Sequence, residues 1–186
     1  INKNNNQSRL ILSSFFSNIN QIDIALDILN GVLVKSPSWI ITEFEKSFLY
    51  EEQGKIDLAI SLIESLKNNA DFSTKSLIRI SNIHRRNGDY RKSLQTIDII
   101  DASKNFPEVF YYRSLNLVLL EEWERAIESF DTLLEVYPNN AEISNFVGYT
   151  LIDNNVRVEE AINLIKFAVN QEPQNGFYID SLGWTN

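Results

Sequence analysis

Apolar residues recur along the chain with the three-to-four-residue spacing of amphipathic helices. Ala59, Ile63 and Leu66 form one such run. The same spacing returns at Leu94, Ile97 and Ile100, at Ala126, Phe130 and Leu133, and at Ala161, Ile165 and Ala168. Polar turns that contain glycine, Gln53-Gly54-Lys55 and Asn87-Gly88-Asp89, precede two of these runs, and glycine readily adopts the left-handed conformation that ends a helix. The pattern therefore predicts pairs of helices joined by short turns.

Small residues recur in two series with almost the same period. The first series is Ser13, Ser47, Ser81, Ser114, Gly148 and Gly183, with steps of 34, 34, 33, 34 and 35 residues. The second series is Ala25, Ala59, Ser93, Ala126 and Ala161, with steps of 34, 34, 33 and 35 residues. A small side chain at a helix crossing lets two backbones approach to about 8–10 Å. The two series therefore predict a close crossing in every helical pair.

Proline ends several of these units. Pro37, Pro138 and Pro173 each lie twelve residues after an alanine of the second series. Proline cannot continue a helix, so these positions mark turns between successive pairs.

A period near 34 residues, with small residues at two fixed places and a closing proline, resembles the tetratricopeptide repeat. The signature places of the fourth unit hold Phe110, Ser114, Leu117, Trp123, Ala126, Phe130 and Pro138, and those of the fifth hold Val147, Gly148, Leu151, Ala161, Ala168 and Pro173. The segment Gly176–Trp184 is similar to one found in bacterial proteins of this kind. The sequence departs from the pattern in three ways. Serine replaces glycine in four units, Ser93 replaces alanine in the third unit, and the segment 154–158 has one extra residue.

The resemblance implies an all-α, right-handed superhelical solenoid of about five helix–turn–helix repeats and the start of a sixth. We expect residues 1–186 to form a single domain, with repeats at roughly 6–39, 40–73, 74–106, 107–140, 141–175 and 176–186. The chain starts without methionine and stops inside an apolar pattern. We therefore expect it to be a fragment of a larger bacterial protein.

Composition excludes several kinds of site. The chain has no cysteine and a single histidine, His84, which rules out thiolate zinc sites and any site that needs two histidines of one chain. Phosphate-binding glycine loops, HExxH and a nucleophile with a plausible base are also missing. We therefore expect no catalytic residue, cofactor or metal, and His84 is interpreted as a core residue.

The net charge of −8 is unevenly distributed. Residues 1–93 contain 12 basic and 10 acidic residues, a net of +2, whereas residues 94–186 contain 5 and 15, a net of −10. An acidic half disfavours nucleic-acid binding, and no apolar run reaches the length of a membrane span. We expect a soluble protein, cytoplasmic or periplasmic, that binds another protein or peptide and could also form homo-oligomers.

In the family, the first helix of each pair lines a concave groove that receives a peptide or helix of a partner. Projection of the first helices gives a candidate binding surface. Its residues are Phe44, Phe48, Lys75, Asn82, Arg85, Arg86, Tyr111, Leu115 and Tyr149.

Each part of this surface also has a purely structural interpretation. The aromatic residues could pack between repeats. The basic concentration could consist of exposed charges at helix ends; it contains Lys75, Arg79, Arg85, Arg86, Arg91 and Lys92. Glu51-Glu52 and similar acidic pairs are interpreted as solvated. The leading hypothesis is a protein–protein interaction scaffold, and the alternatives are a non-catalytic arm of a larger enzyme or a self-assembly module.

Overall fold

A computed structural model describes residues 6–34, 36–66, 72–100 and 106–185, which form helices and turns without strands. The helices follow one another as predicted pairs. They are α1 (Asn6–Asn18), α2 (Ile22–Asn30), α3 (Trp39–Glu52), α4 (Ile56–Glu64), α5 (Ser73–Arg86), α6 (Tyr90–Ile97), α7 (Pro107–Leu119), α8 (Trp123–Val136), α9 (Ala141–Asp153), α10 (Val158–Gln171) and α11 (Gly176–Gly183). The predicted all-α repeat architecture is confirmed.

The chain divides into two compact units, residues 1–100 and residues 101–186. Unit 1 contains the hairpins α1–α2, α3–α4 and α5–α6, and unit 2 contains α7–α8, α9–α10 and the helix α11. Within each unit the second helix of one hairpin also packs against the first helix of the next. The expectation of a single domain stays a prediction.

The two series of small residues lie where the helices of each hairpin cross. Every series member of the five complete hairpins is buried; these residues are Ser13, Ala25, Ser47, Ala59, Ser81, Ser93, Ser114, Ala126, Gly148 and Ala161. Gly183 is exposed, and no described helix crosses it. The small-residue series therefore marks helix crossings, as predicted.

Gly148 shows how close this approach becomes. A Cβ atom at this position would lie 2.8 Å from the carbonyl oxygen of Ala161 and 2.8 Å from Cγ1 of Ile165. Both neighbours belong to α10 and are buried. Even one methyl group would therefore have to push α9 and α10 apart.

Serine at the crossing is accommodated by hydrogen bonding. Ser81 Oγ donates to the carbonyl of Ser93 at 2.9 Å, and Ser93 Oγ donates to the carbonyl of Ser81 at 2.7 Å. Both residues have no exposed surface. A buried hydroxyl is costly unless it is hydrogen-bonded, so the reciprocal pair explains how the third hairpin tolerates Ser93 where the repeat pattern favours alanine.

A residue with left-handed backbone conformation lies seven positions after each small residue of the first series in the five complete hairpins. Glycine fills this position in two of them, with φ of 72° at Gly54 and 82° at Gly88. Asn20, Glu121 and Asn155 fill it in the other three, with φ between 55° and 59°. The next amide donates back across the helix end, as from Lys55 to the carbonyl of Tyr50 at 2.8 Å, the pattern of a Schellman turn.

The extra residue after α9 is absorbed by a second left-handed position. Arg157 precedes α10 with φ of 43°. Its guanidinium forms a two-point ion pair with Asp131 of α8, at 2.7 and 3.2 Å. This exposed pair holds the longer connection against the preceding hairpin.

A buried ion pair joins the second and third hairpins and corrects two interpretations of the sequence. Arg79 is 5% exposed, and its Nη2 lies 2.7 Å from Glu51 Oε2. Arg79 Nε donates to Ser47 Oγ at 3.0 Å, and its guanidinium lies 3.7 Å from the centre of the Phe48 ring. Arg79 is therefore not an exposed charge, and Glu51 is not solvated. Arg86 Nε reaches the other oxygen of Glu51 at 3.1 Å.

The physical reason for this correction is the position of α5 over α3. The helix buries one polar face against Ser47 and Glu51, so a long cationic side chain can lie there only when it is paired. Burial lowers the pKa of Arg79, and Glu51 opposes this effect. His84 is half-buried, and burial followed by the charge of Lys92 lowers its pKa.

We predict that Gly148→Ala lowers the free energy of unfolding by about 1–3 kcal/mol, because the added methyl group overpacks the crossing of α9 and α10. Urea denaturation followed by circular dichroism measures the change. Gly176→Ala is the matched control, since a Cβ there meets nothing within 4 Å. Equal effects of the two substitutions would contradict the packing argument.

Glu121→Gly is predicted to stabilise the protein by about 0.5–1 kcal/mol, because glycine removes the steric cost of a positive φ. Thermal and urea unfolding give the sign. The same change at exposed Glu128, inside α8, should destabilise by about 1 kcal/mol. A destabilised Glu121→Gly variant would show that this turn is not strained.

Glu51→Gln is predicted to destabilise the protein by about 3 kcal/mol, since it leaves the charge of Arg79 buried without a counter-ion. Glu52→Gln, at the exposed neighbouring position, should change stability by less than about 0.5 kcal/mol. Glu51→Leu combined with Arg79→Met should recover part of the loss. If Glu51→Gln unfolds at the same urea concentration as the wild type, the pair does not stabilise the fold.

Candidate functional site

The first helix of each hairpin places side chains at three repeating offsets from its small residue, at positions −6, −3 and +1. In unit 2 these offsets give Glu108, Tyr111 and Leu115 on α7, Glu142, Asn145 and Tyr149 on α9, and Phe177, Asp180 and Trp184 on and just after α11. Aromatic and acidic residues occupy seven of these nine positions. The candidate surface of unit 2 is therefore built from one register repeated three times.

An open cavity of about 660 Å³ lies within this surface. It is lined by Tyr111, Glu142, Asn145, Phe146, Tyr149, Glu172, Asn175, Phe177, Tyr178, Asp180 and Ser181. A second cavity of about 500 Å³ shares Tyr111 and Glu142 with the first and extends to Pro107 and Asn140. The two cavities therefore adjoin each other, and together they are here called the unit 2 groove.

Aromatic rings form much of the wall of the unit 2 groove. The ring of Tyr111 packs against Phe146, with 4.4 Å between ring centroids. Tyr149 and Trp184 meet edge to face at 6.5 Å. Phe177, which lines the larger cavity, is 84% exposed. Trp184 is 62% exposed and lies outside the lining of both cavities. Large exposed aromatic surfaces of this kind typically mark binding sites.

The charge of the unit 2 groove is negative. Glu142, Glu172 and Asp180 line the larger cavity, and no lysine, arginine or histidine lines it among the described residues. Burial raises the pKa of Tyr178, and the charges of Glu172 and Glu142 raise it further. The carbonyl oxygen of the Asn145 side chain is buried and has no hydrogen-bond partner in the part of the chain that the structure describes.

Two aromatic residues of the predicted set in unit 1 take part in internal contacts. Phe44 is half-buried and packs against the core cluster of Ile63, Leu66 and Ile80. Phe48 is 41% exposed and covers the guanidinium of Arg79 with one face.

The polar predicted residues of unit 1 lie on α5. Asn82 Oδ1 accepts a hydrogen bond from Arg85 Nη2 at 2.7 Å. Arg86 is paired with Glu51 and keeps 55% of its side chain exposed. Lys75 is exposed, with its ammonium group 6.0 Å from the centre of the Phe72 ring. Lys75 and Arg86 are thus exposed basic residues, whereas Asn82 and Arg85 are half-buried.

In unit 2, the cavity brings together Tyr111 and Tyr149 of the predicted set, whereas Leu115 is half-buried on α7 and does not line it. The predicted set leaves out Phe177 and Asp180. Their signal was present in the sequence, because they lie six and three residues before Gly183, as Glu142 and Asn145 lie before Gly148. The predicted site residues stay a prediction.

The described residues were also searched for a metal site and for a membrane-spanning helix. Over 6–34, 36–66, 72–100 and 106–185, no three His, Asp or Glu side chains come together as ligands for a metal ion. In the same ranges, every helix is too short or too polar to cross a bilayer.

Part of the chain matches a known repeat. Residues 108–140 match the tetratricopeptide repeat. The chain is 26% identical over 137 residues to the TPR repeat-containing protein PA4667 of Pseudomonas aeruginosa; the match covers 72% of this chain and 23% of that protein's length. The chain therefore spans about a quarter of this curated relative.

Solved structures share the fold. TTC0263, a thermophilic TPR protein of Thermus thermophilus, superposes with a TM-score of 0.68 at 17% identity, covering 96% of this chain and 98% of that one. YrrB, a TPR protein with an unusual peptide-binding site, gives a TM-score of 0.59 at 15% identity, covering 97% and 93%. The chain is thus similar to tetratricopeptide-repeat proteins in the sequence of residues 108–140 and in its fold of helical hairpins.

Proposed function

We propose that this protein-interaction scaffold is non-catalytic and binds an extended peptide or a helix of a partner protein on the first helices of its repeats, chiefly in the unit 2 groove. The observation that carries the proposal is the exposed aromatic surface of Tyr149 and Phe177, which line a cavity of about 660 Å³. Aromatic side chains supply much of the binding energy at protein interfaces.

The internal contacts of unit 1 suggest that its predicted residues contribute less to partner binding than the unit 2 groove does. Phe48 already stacks on Arg79, and Asn82 already accepts from Arg85. A ligand would have to break these contacts before it could use the same groups. Lys75 and the exposed part of Arg86 can contact an acidic partner without such a cost.

The likeness to YrrB adds weight to this proposal. That protein's peptide-binding site shows that the shared fold accommodates a peptide. The residues that bind in the present chain are proposed from its own groove.

Self-assembly is the second candidate function. Phe177, Ile179 and Trp184 each expose apolar surface on and just after α11, and exposed apolar surface can bind another copy. A mass that rises with protein concentration in sedimentation velocity, and that falls with Phe177→Ala, would favour it.

The role of an arm within a larger enzyme is a further candidate. It is favoured by the short span of this chain relative to PA4667, of which it covers 23%. Activity assays on the longer protein with and without these repeats would test it.

A selection from a random peptide library tests the leading proposal. Peptides that bind the wild type should bind the Tyr149→Ala, Phe177→Ala variant at least about tenfold more weakly, because two exposed aromatic contacts are lost. Isothermal calorimetry measures the affinities, and circular dichroism confirms that the variant is folded.

The matched control is Ile179→Ala, which removes an exposed apolar side chain of α11 that does not line the cavity. It should leave the affinity unchanged. Peptides that bind the double variant as tightly as the wild type would place the binding surface elsewhere on the protein.

A further inference from the structure

The unit 2 groove combines three features that select for one kind of partner: carboxylates, aromatic faces and a buried hydrogen-bond acceptor. Most of these groups come from the repeated register of the first helices. If the groove binds a protein segment, as the proposed function holds, these features narrow the chemistry of that segment.

The carboxylates of the groove are not neutralised internally. Glu142 and Asp180 are exposed and form no ion pair with any described residue. Glu172, just after the end of α10, adds a third negative charge to the same cavity. Three like charges around one cavity repel each other, so a cationic ligand would relieve this repulsion as well as gain attraction.

The aromatic faces lie beside these carboxylates. Tyr149 of α9 and Phe177 of α11 line the same cavity as these carboxylates, and both are exposed. A guanidinium or ammonium group placed over an aromatic face gains a cation–π interaction. Guanidinium also forms two-point hydrogen bonds with carboxylates.

The unsatisfied polar groups of the cavity are acceptors. Asn145 Oδ1 is buried without a hydrogen-bond partner among the described residues, and ionised carboxylates also only accept. A ligand rich in N–H donors satisfies all of them. Phosphate, nucleic acid or an acidic peptide would instead add negative charge beside Glu142 and Asp180.

From this geometry, and resting on the proposed function, we infer that the unit 2 groove binds an extended protein segment rich in arginine or lysine. Its cationic side chains lie over Tyr149 and Phe177 and between the carboxylates of Glu142 and Asp180. A volume of about 660 Å³ exceeds the size of a single side chain, so several residues of the segment enter.

Fluorescence anisotropy with three capped, labelled peptides tests the inference. The peptides share one extended sequence in which alternate residues are arginine, citrulline or glutamate. Citrulline keeps the shape of arginine and removes its charge. We expect the arginine peptide to bind at least about tenfold tighter than the citrulline peptide, and the glutamate peptide to show no binding.

Two protein variants with the same change in net charge separate the groove from general electrostatics. Glu142→Gln with Asp180→Asn removes two charges of the cavity, whereas Glu128→Gln with Glu135→Gln removes two exposed charges of α8 that do not line it. The first should weaken binding of the arginine peptide about fivefold or more, and the second less than about twofold.

Equal weakening by both variants, equal affinity for the arginine and citrulline peptides, or no binding of the arginine peptide would overturn the inference. The proposed function fails separately. If library-selected peptides lose affinity with Tyr149→Ala, Phe177→Ala but not with Glu142→Gln, Asp180→Asn, the groove binds peptides without preference for positive charge. If neither variant affects them, the groove itself is not the binding surface.

Discussion

Close approach of two helices at a small residue is the constraint on which the rest of this structure depends. At Gly148 there is no room for one additional carbon atom between α9 and the backbone of α10. At Ser81 and Ser93 the same approach is kept by two hydroxyl groups that satisfy each other's backbones. Because the crossing fixes the rotation of the first helix about its own axis, it also fixes which side chains of that helix face away from the hairpin.

The candidate groove follows directly from that rotation. Residues at offsets −6, −3 and +1 from the crossing recur on the same side of α7, α9 and α11, and most of them converge on one cavity in unit 2. The repeat thus separates two tasks. Small residues at the crossing hold the hairpin together, and the outward positions are free to carry the aromatic and acidic side chains proposed to bind a partner.

The two units differ in whether their charged side chains are paired with each other. In unit 1, Arg79, Arg86 and Glu51 form one network, and its central guanidinium is buried under Phe48. Part of the positive charge of unit 1 is therefore neutralised by an ion pair between hairpins. In unit 2, Glu142 and Asp180 have no such partner among the described residues and remain available.

The sequence by itself determined the helices, the turns and the crossing positions, because these depend on local spacing and on residue size. Periodic apolar residues predict helices, and the period of small residues locates Ser47, Ser81 and Gly148 correctly without coordinates. The same register contained Phe177 and Asp180, but only their place beside Glu142 in one cavity shows that they act together.

Only the tertiary structure decided which polar residues are internal. Arg79 and Glu51 lie 28 positions apart and look like ordinary surface charges in the sequence, yet their side chains meet where α5 packs over α3. Glu121 likewise has no residue-type preference for a left-handed turn, yet it has a φ of 59° where the chain passes from α7 to α8. The local sequence does not distinguish a charged side chain that is solvated from one that is paired. Pairing depends on which neighbour the fold brings within reach.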